Sequence, residues 1–414
     1  MRPGNSSYRD AVSTALNDLA FLDAAQEARV ATLMELSALN SGTTNLPGLA
    51  STLDAILEIL SPLGGDVTIT DPGPYPYVDE YGSLAELATG AVARIRKRPG
   101  APLQALLVGH YDTVFHAGHA FQTPELRGDV LTGPGVADMK GGLLVLANAV
   151  EALERSPWAD NLGWEILLNP DEELGSPSSG PLIESAASGK DFGLVFEPTF
   201  PDGHFAGRRK GSGTFTVVVQ GRAAHAGRDH HLGRNAIAAL ARLVSDLDDL
   251  NGRWPQVTLN VGVVSGGSAT NVVPDLAIAR LNLRVPDAAS ADAAVATLNA
   301  IVDGAGGEGI ETSLHGGFTR WPKEVSASTA TLLGLAVECG AQLGLDLGWR
   351  DTGGVSDGNN LAAAGLPNVD NLGVHGGNIH QDSEFMFVSS LATRSKLAAL
   401  MLRRLASGEV VLPS

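Results

Sequence analysis

The residues that could do chemistry begin with His110 and Asp112, one residue apart in the segment LVGHYDTV. The apolar run before them, LQALLVG, predicts a buried strand, and side chains two apart on a strand point the same way. We therefore expect both side chains at the carboxyl end of this strand, where open α/β sheets bind ligands. A buried histidine with an aspartate partner is also common without a ligand. This pair alone leaves a metal site and a purely structural pair both open.

Acidic and histidine side chains recur at four further places where a strand ends or a loop follows. These places hold Asp138, the pair Glu172 and Glu173, Glu197, and the tail HGGNIHQDSEF at 375–385. Because the carboxyl ends of parallel strands share one rim of a sheet, we expect these groups to converge there. Converging carboxylates repel one another unless a cation lies between them. Carboxylate and imidazole without cysteine suit zinc, manganese or cobalt in a hydrolytic site better than a structural zinc.

The elements that must position these groups alternate between strands and helices. Strands are predicted at 67–70, 91–96, 103–109, 164–168, 193–196 and 367–372, and helices at 8–39 (one or two), 49–60, 143–153, 182–188, 327–343 and 388–405. We expect loops for the segment PGPYPY and for residues 353–359. The alternation indicates an α/β domain with a mostly parallel central sheet.

The pattern changes near residue 207. The predicted order becomes strand (214–220), helix (234–250), two strands (257–264 and 276–285), helix (289–302) and strand (309–314). This β-α-β-β-α-β order is that of ferredoxin-like domains. We therefore predict a second domain at 207–317, inserted into a first domain formed by 1–206 and 318–414.

Several short motifs follow one another along the chain: GHYDTV, GPGVADMKGG, DEELGS, FEP, AHAG, GVSDGN and IHQDSEF. Together they resemble the M20 family of metallopeptidases, which includes glutamate carboxypeptidases, acetylornithine deacetylases, succinyl-diaminopimelate desuccinylases and aminoacylases. The FEPT segment and the insert look most like the glutamate carboxypeptidase branch. The resemblance implies a catalytic domain of the zinc-peptidase type, an inserted α+β domain that serves dimerisation or acts as a lid, and a homodimer.

The resemblance also implies a site for two divalent metal ions, with zinc expected and cobalt or manganese as alternatives. Carried over residue by residue, His110 binds one metal and Asp138 bridges both. Glu197 completes the His110 site, and Glu173 binds the second metal together with His380.

Two further acidic residues have roles in this scheme, one supporting a ligand and the other catalytic. Asp112 holds the His110 ring from behind, as metal-bound histidines usually require. Glu172 is the general base that takes a proton from water and returns it to the leaving amine. Adjacent residues at a strand end face opposite ways, so Glu172 and Glu173 can play different parts. The family often has a cis peptide after the bridging aspartate, which here is the Asp138–Met139 bond.

The last ligand has two candidates in the sequence, His375 and His380. We favour His380 because the family's ligand histidine lies just before acidic residues, here Asp382 and Glu384. Four other histidines have no motif support and are predicted to lie on the surface or in loops: His116, His119, His230 and His231.

In the insert the resemblance points to His225, Asn271 and Arg284. The histidine would reach a neighbouring subunit's site and stabilise the tetrahedral oxyanion. Asn271 would contact the substrate, and Arg284 would grip a substrate carboxylate through its guanidinium fork. The alternative for Arg284 is an ordinary surface arginine on an alternating strand. Arg209 and Lys210 either attract an anionic substrate or form a solvated basic turn.

The sequence also allows two rival interpretations of the function. Residues 354–358 fit the GxSxG pattern of a serine hydrolase around Ser356. A chain with 50 glycines matches this pattern easily by chance, so we favour the metal site, with Asp357 and Asn359 shaping its rim. A non-catalytic metal- or peptide-binding relative would lack the base or a ligand, and every matched residue is present here.

Within the enzyme interpretation, two reactions stay open. A carboxypeptidase would release a C-terminal amino acid such as glutamate, whereas a deacylase would remove a small acyl group from an amino acid. Both cleave an amide beside a free carboxylate, so the expected substrate is a small peptide or an N-acyl amino acid. The catalytic motifs do not separate the two.

Bulk properties limit the partners and the compartment. The 414 residues suggest two or three domains. The formal net charge of −18 argues against nucleic acid and anionic membranes as partners. A single cysteine, Cys339, excludes an internal disulfide framework. Because the first ten residues lack an apolar signal core and no uncharged apolar run approaches a membrane span, we expect a cytoplasmic protein.

Overall fold

A computed structural model of the protein describes residues 17–413. Among these residues, the helices in chain order are α1 (Ala20–Ala24), α2 (Gln26–Ala38), α3 (Leu46–Leu60), α4 (Lys140–Glu154), α5 (Gly180–Ala187), α6 (Ala236–Asp248), α7 (Ala288–Gly304), α8 (Ala327–Gln342), α9 (Asp357–Ala363) and α10 (Val388–Ala406). The predicted opening helix is therefore two helices. The part of that prediction around Val12 and Leu16 lies outside the described residues.

The strands in the same part of the chain are β1 (Asp66–Thr70), β2 (Tyr75–Val78), β3 (Leu84–Leu87), β4 (Val92–Lys97), β5 (Leu103–His110), β6 (Glu125–Arg127), β7 (Val130–Thr132), β8 (Leu162–Asn169), β9 (Phe192–Val195), β10 (Phe205–Arg209), β11 (Gly211–Gln220), β12 (Ala224–His225), β13 (Thr258–Gly266), β14 (Val272–Val273), β15 (Leu276–Val285), β16 (Glu311–Arg320), β17 (Trp349–Thr352), β18 (Asn368–Val369), β19 (Gly376–Gly377) and β20 (Phe385–Phe387).

The larger sheet has the strand order β1-β4-β8-β5-β9-β18. The strands β8, β5, β9 and β18 run parallel to one another. Strands β1 and β4 add an antiparallel edge. Parallel strands need crossover connections, which helices usually supply. The predicted α/β fold with a mostly parallel central sheet is confirmed.

Strand β5 lies inside this sheet and is covered on both faces. Ala105 and Leu107 pack into the main core together with residues of α4 and α10. Leu106 and Val108 pack on the opposite face with residues of α5 and α9. Burial on both faces is why the run before His110 is continuously apolar. A strand held from both sides gives His110, its last residue, a fixed position.

The smaller sheet is antiparallel, with the order β13-β15-β11-β16. Helices α6 and α7 cover one face, where Leu240 and Leu298 pack with Phe215 and Val217 in a core of their own. The chain order β-α-β-β-α-β is the one expected of a ferredoxin-like domain. The prediction of an inserted α+β unit of this type is confirmed.

Three local predictions were wrong. The PGPYPY segment contains β2, which pairs with β3 as a two-stranded ribbon, because a proline such as Pro76 is tolerated on an unpaired strand edge. The predicted strand 367–372 is only the two residues of β18. The predicted loop 353–359 ends in a helix, because α9 begins at Asp357.

One helical stretch within residues 17–413 is long and apolar enough to cross a membrane, judged by length and composition alone. It is Leu46–Leu63, which covers α3 and the turn after it. It carries Asp54 and Glu58, and Leu49 and Leu53 on it are buried in the main core. Its apolar side is therefore used in packing.

Candidate metal centre

The first group of potential metal ligands forms around His110 at the end of β5. His110 is buried, and its Nε2 lies 3.1 Å from Asp138 Oδ1 and 3.7 Å from Glu197 Oε1. One ligand atom from each of these residues lies within 4.8 Å of the others. Glu197 follows β9, the parallel neighbour of β5, so the sheet itself brings these two side chains to one rim.

The second group shares Asp138 with the first. His380 Nε2 lies 3.4 Å from Asp138 Oδ2 and 3.1 Å from Glu173 Oε2. Glu173 lies in a short turn after β8, which is the other parallel neighbour of β5. Asp138 therefore directs one carboxylate oxygen toward each group. Two groups joined by one carboxylate are the arrangement that a pair of divalent cations requires.

The loop that carries Asp138 is held by Glu384. The buried carboxylate of Glu384 accepts hydrogen bonds from the N–H groups of Gly135 (3.1 Å), Ala137 (2.8 Å) and Asp138 (3.0 Å). The Asp138–Met139 peptide bond is cis, as predicted. Glu384 comes from the same tail as His380, so one segment both faces Asp138 and supports its backbone.

Asp112 supports the site from behind. Its Oδ1 lies 3.2 Å from His110 Nδ1, opposite the ring nitrogen that faces Asp138. The same carboxylate accepts hydrogen bonds from Thr43 Oγ1 (2.8 Å) and from the N–H groups of Glu172 and Glu173 (3.2 Å each). A proton on Nδ1 directed at Asp112 leaves the lone pair of Nε2 for a metal.

Glu172 faces a different partner from Glu173. Its Oε1 accepts a hydrogen bond from Arg320 Nη2 at 2.6 Å. Arg320 is 1% exposed, and its Nη1 donates to Asp357 Oδ1 at 2.6 Å and to Ser176 Oγ at 3.1 Å. Burial raises the pKa of Glu172 to about 8 against the opposing charge of Arg320. The carboxylate beside the ligand groups is thus oriented by a buried guanidinium.

The electrostatics of the two groups favour a cation. Burial, reinforced by the negative charge of Asp138, raises the pKa of Glu173 to about 8 and that of Glu197 to about 7. Hydrogen bonds to Asp138 and Glu173 raise the pKa of His380 to about 11. Buried carboxylates that ionise reluctantly by themselves ionise readily beside a divalent cation. Three carboxylates and two imidazoles therefore form a donor set that fits two such ions.

The two candidate histidines of the tail have different surroundings in the structure. His380 belongs to the second group of ligand atoms. His375 instead places its Nε2 2.9 Å from the carbonyl oxygen of Pro201 and packs its ring against Phe387, with centroids 5.1 Å apart. The four histidines without motif support are in neither group: His116, His119, His230 and His231.

His225 and Asn271 lie away from the ligand groups in the chain's fold. His225 is exposed on β12, and its Nδ1 accepts hydrogen bonds from the N–H groups of Gly227 and Arg228. The carbonyl oxygen of Asn271 accepts from the Ala226 N–H at 2.9 Å, so these two exposed residues are neighbours. Within one chain neither is among the ligand atoms that converge on Asp138.

Arg284 lies on the sheet face that also carries Arg320. Ser212 on β11 pairs with Arg284 on one side and with Arg320 on the other. Arg284 is half-buried, and it donates to Asn282 Oδ1 at 2.8 Å and to the carbonyl oxygen of Gly353 at 3.3 Å. Burial, with the nearby charge of Arg320, lowers the pKa of Arg284.

The sequence-based alternatives for Arg209 and for Ser356 do not hold. Arg209 is buried and pairs with Asp370 at 2.9 Å, so it is neither a solvated turn residue nor free to attract a substrate. Lys210 donates its Nζ to the carbonyl oxygen of Gln256. Ser356, the serine of the GxSxG match, is the N-cap of α9 and donates its hydroxyl to Asp370.

Sequence reasoning missed Arg320 and the role of Glu384. Arg320 stands in no motif, and its contact with Glu172 joins residues 148 positions apart. A signal for Glu384 was available, because it ends the acidic run after His380. The acidic residues after His380 led to the prediction of His380 as a ligand. The hydrogen bonds between Glu384 and the Asp138 loop could not be predicted, because they form only in the folded chain.

The sequence of the chain is similar to those of known proteins. Residues 208–309 match the peptidase dimerisation domain of the M20 family. Carboxypeptidase G2 from Pseudomonas sp. (strain RS-16) is 29% identical over 394 residues, covering 93% of this chain and 91% of that protein. Succinyl-diaminopimelate desuccinylase from Azoarcus sp. (strain BH72) is 32% identical over 340 residues, covering 76% and 87%.

Solved structures share the fold. A tripeptidase from Staphylococcus aureus has a TM-score of 0.73 at 22% identity, covering 92% of this chain and 99% of that one. An M20 family metallo-carboxypeptidase from Sulfolobus solfataricus has a TM-score of 0.71 at 17% identity, covering 91% and 99%. Together with the sequence relatives, these matches identify the chain as an enzyme that belongs to the M20 family of metallopeptidases.

Proposed function

We propose that this enzyme is a metal-dependent hydrolase that cleaves an amide bond next to a free carboxylate and releases a C-terminal amino acid. The observation that carries the proposal is the pair of ligand groups joined through Asp138, with Glu172 beside them. The relative that spans 93% of the chain is called carboxypeptidase G2, which supports this reaction over others.

Two divalent cations, with zinc proposed and cobalt or manganese as alternatives, would be held by five residues: His110, Asp138, Glu173, Glu197 and His380. When bound, such ions act as Lewis acids on the scissile carbonyl and lower the pKa of water. Asp112 would keep the His110 ring in the orientation that this needs, through its contact with Nδ1.

Glu172 would act as the general base. Its carboxylate would accept a proton from the attacking water and return it to the nitrogen of the leaving amine. Arg320 would hold the Oε1 atom of this base through the 2.6 Å hydrogen bond from Nη2. The backbone N–H of Glu172 donates to Asp112, which fixes the other end of the residue.

The inserted unit would contribute to substrate binding and to a homodimer. The match of residues 208–309 to a peptidase dimerisation domain supports the dimer. We propose that Arg284 binds the free carboxylate of the substrate, with Asn271 contacting the substrate nearby. The exposed His225 would complete the site of the other subunit and stabilise the oxyanion formed there.

A second candidate function is removal of an acyl group from an N-acyl amino acid. It is favoured by the desuccinylase relative, which has the higher identity, 32%, over a shorter part of the chain. Both reactions would use the same ligands and the same base. They differ in which side of the amide bond carries the larger group.

A substrate panel tests the proposal. Dipeptides and the N-acetyl, N-succinyl and N-benzoyl forms of one amino acid would be assayed after chelation and again with added zinc, cobalt or manganese. We expect hydrolysis only with metal, and Glu172→Ala should reduce kcat by about 10²–10⁴-fold. The exposed Glu184→Ala serves as the matched control. Metal-independent turnover, or full activity of Glu172→Ala, would exclude this mechanism.

A further inference from the structure

Two segments connect the inserted unit to the rest of the chain, residues 209–211 where the chain enters the unit and residues 320–323 where it leaves. We call them the connecting segments. They pair with each other, because the N–H of Arg209 donates to the carbonyl oxygen of Lys323 and the N–H of Lys323 donates to that of Arg209, each at 3.0 Å. A Cβ atom at Gly211 would lie 2.8 Å from Pro322 Cδ. The two units are therefore joined by one closely paired backbone.

Buried charges anchor one end of this pair. Arg209 forms an ion pair with Asp370 at 2.9 Å, and Lys323 Nζ donates to Asn368 Oδ1 at 2.6 Å. Both cations are buried. Asn368 lies on β18, and Asp370 directly follows this strand. The larger sheet therefore fixes the end of the connecting segments that lies away from the inserted unit.

Asn359 on α9 contacts both connecting segments nearer to the inserted unit. Its Nδ2 donates to the carbonyl oxygens of Lys210 at 3.0 Å and of Trp321 at 2.6 Å. Its Oδ1 accepts a hydrogen bond from the N–H of Ser356 at 3.2 Å. The side chain is buried, and an amide nitrogen has two hydrogens to donate, so each segment receives one. One buried amide therefore links α9 to both segments.

The contact with Trp321 lies next to the residue that orients the proposed base. Trp321 directly follows Arg320, the last residue of β16, and Arg320 Nη2 donates to Glu172 Oε1 at 2.6 Å. The Trp321 ring also stacks on Phe318 of the same strand, with centroids 5.4 Å apart. Because peptide units are rigid, a shift of the Trp321 carbonyl moves the backbone that carries the guanidinium. A short path of contacts therefore runs from Asn359 through the end of β16 to the base.

We propose that Asn359 is a positioning residue for the hydrolytic reaction, because its amide holds the end of β16 where Arg320 can direct Glu172. This inference rests on the proposed hydrolase function. A catalytic group displaced by about 1 Å can cost on the order of a hundredfold in rate, so loss of the amide should appear mainly in kcat. The alternative is that Asn359 only caps α9 and stabilises the fold, in which case its effect does not depend on Arg320.

The variant Asn359→Asp separates these two roles. It removes both donors to the connecting segments but keeps a side-chain oxygen for the N–H of Ser356, so this half of the capping box is retained. Asn299→Asp is the matched control, since Asn299 is exposed on α7. If Asn359→Asp does not fold, Asn359→Ala removes both donors without adding a charge. Urea unfolding confirms that each variant is folded under the assay conditions.

The test is a double-mutant cycle with Arg320→Lys, measured by steady-state kinetics with the fastest substrate of the panel. We expect Asn359→Asp alone to lower kcat by at least about tenfold with a smaller change in KM. In the Arg320→Lys background the same substitution should lower kcat by less than about twofold, because the guanidinium through which Asn359 acts is already gone. Asn299→Asp should leave kcat unchanged in both backgrounds.

Three results would overturn the inference. The first is an unchanged kcat in Asn359→Asp, and the second is a rise in KM with kcat retained. The third is an equal loss of kcat in both backgrounds, which would make the role of Asn359 purely structural. Failure of the proposed function has a different signature, because then Glu172→Ala keeps full activity or no substrate of the panel is hydrolysed with any added metal.

Discussion

Arg320 joins two acids through one guanidinium. Its Nη2 donates to Glu172 Oε1 and its Nη1 to Asp357 Oδ1, each at 2.6 Å. A guanidinium is planar and can hold two carboxylates in fixed directions, whereas a lysine ammonium is a point charge on a flexible stem. The direction of the proposed base therefore depends on the fork shape of this side chain as well as on its charge.

We predict that Arg320→Lys lowers kcat by about 10–100-fold with a smaller change in KM, because the base is displaced while the proposed metal ligands stay in place. Steady-state kinetics with the fastest substrate of the panel measures both constants. Arg208→Lys is the control, since Arg208 is exposed and pairs with Asp351 at 2.8 Å. A rise in KM with kcat retained would instead assign Arg320 to substrate binding.

Single residues differ in how far their roles could be predicted from the sequence. His110 and Asp112 were predictable as a pair, because a spacing of two on a buried strand puts both on one side. Arg320 was not, because it meets Glu172 only when a strand of the inserted unit returns to the site. A contact between residues of two different units produces no periodic pattern in the sequence of either unit.

Ser356, at the start of helix α9, has contacts that stabilise the helix. Ser356 accepts a hydrogen bond from the Gly358 N–H at 3.1 Å, and its backbone N–H donates to Asn359 Oδ1 at 3.2 Å. Its own hydroxyl donates to Asp370. These contacts form a capping box at the start of the helix.

We predict that Ser356→Ala lowers the free energy of unfolding by about 1–2 kcal/mol, because a helix cap and a hydrogen bond to a buried acid are lost. Activity should stay within about fivefold of the original enzyme, whereas loss of a serine nucleophile removes orders of magnitude. Urea unfolding and kcat measure the two effects. Ser185→Ala, at an exposed position on α5, is the control. A loss of kcat of a thousandfold or so would revive the serine hydrolase interpretation.

Glu154, the last residue of α4, connects this helix to the larger sheet through hydrogen bonds. It accepts hydrogen bonds from Lys97 Nζ at 2.5 Å, from Trp164 Nε1 at 2.8 Å and from Arg98. Burial alone would raise the pKa of Glu154, but these hydrogen bonds outweigh it and lower the pKa to about 2. The ionised carboxylate therefore stabilises the folded state.

The sign of the pH dependence follows from this lowered pKa. The stabilising contribution of Glu154 is present above its ordinary pKa of 4.5 and is lost as pH falls from there toward about 2. We predict that Glu154→Gln costs on the order of 2 kcal/mol of unfolding free energy near neutral pH. The difference from the original protein should shrink below pH 4.5, measured by urea unfolding at several pH values.

Exposed Glu184→Gln serves as the control for this pH series, because it replaces a carboxylate on the surface of α5. A Glu154→Gln cost that is the same at every pH would mean that the charge of Glu154 does not stabilise the fold.

Helices and strands were predictable from the sequence where a regular apolar pattern continues over many residues. They were missed where the pattern covers only a few residues. Strand β5 and helix α10 were found because most side chains along each of them are buried. The β2–β3 ribbon was missed because each strand has only four residues, most of them exposed or half-buried, and Pro76 interrupts the first. Helix α9 was read as a loop because glycines precede its cap.

At the scale of the whole molecule, the two units meet at the candidate site. Strand β16 ends at Arg320 beside Glu172, so a residue of the inserted unit contacts the proposed base of the other unit. The order of elements allowed an inserted ferredoxin-like unit to be predicted, since each unit has its own hydrophobic pattern. The homodimer and the reach of His225 into a neighbouring subunit's site were predicted from the family resemblance alone, because exposed residues such as His225 carry no pattern that identifies their partner.

We predict that His225 and Glu172 complement each other between subunits. If His225 acts across a twofold dimer, His225→Ala and Glu172→Ala proteins are each nearly inactive, but a mixed dimer regains one complete site. That site takes Glu172 from the His225→Ala subunit and His225 from the other subunit. Coexpression in equal amounts gives mixed dimers as half of the population, so activity should recover to about a quarter of the original value.

The control for complementation is the double variant coexpressed with the original chain. Its mixed dimers contain no complete site if His225 acts across subunits, so only dimers of the original chain, about a quarter of the population, remain active. If His225 acts within its own chain, every original subunit stays active and about half of the activity remains. In that case the two single variants also fail to restore each other. Residual activity in the two mixtures thus distinguishes a site shared between subunits from one complete in each chain.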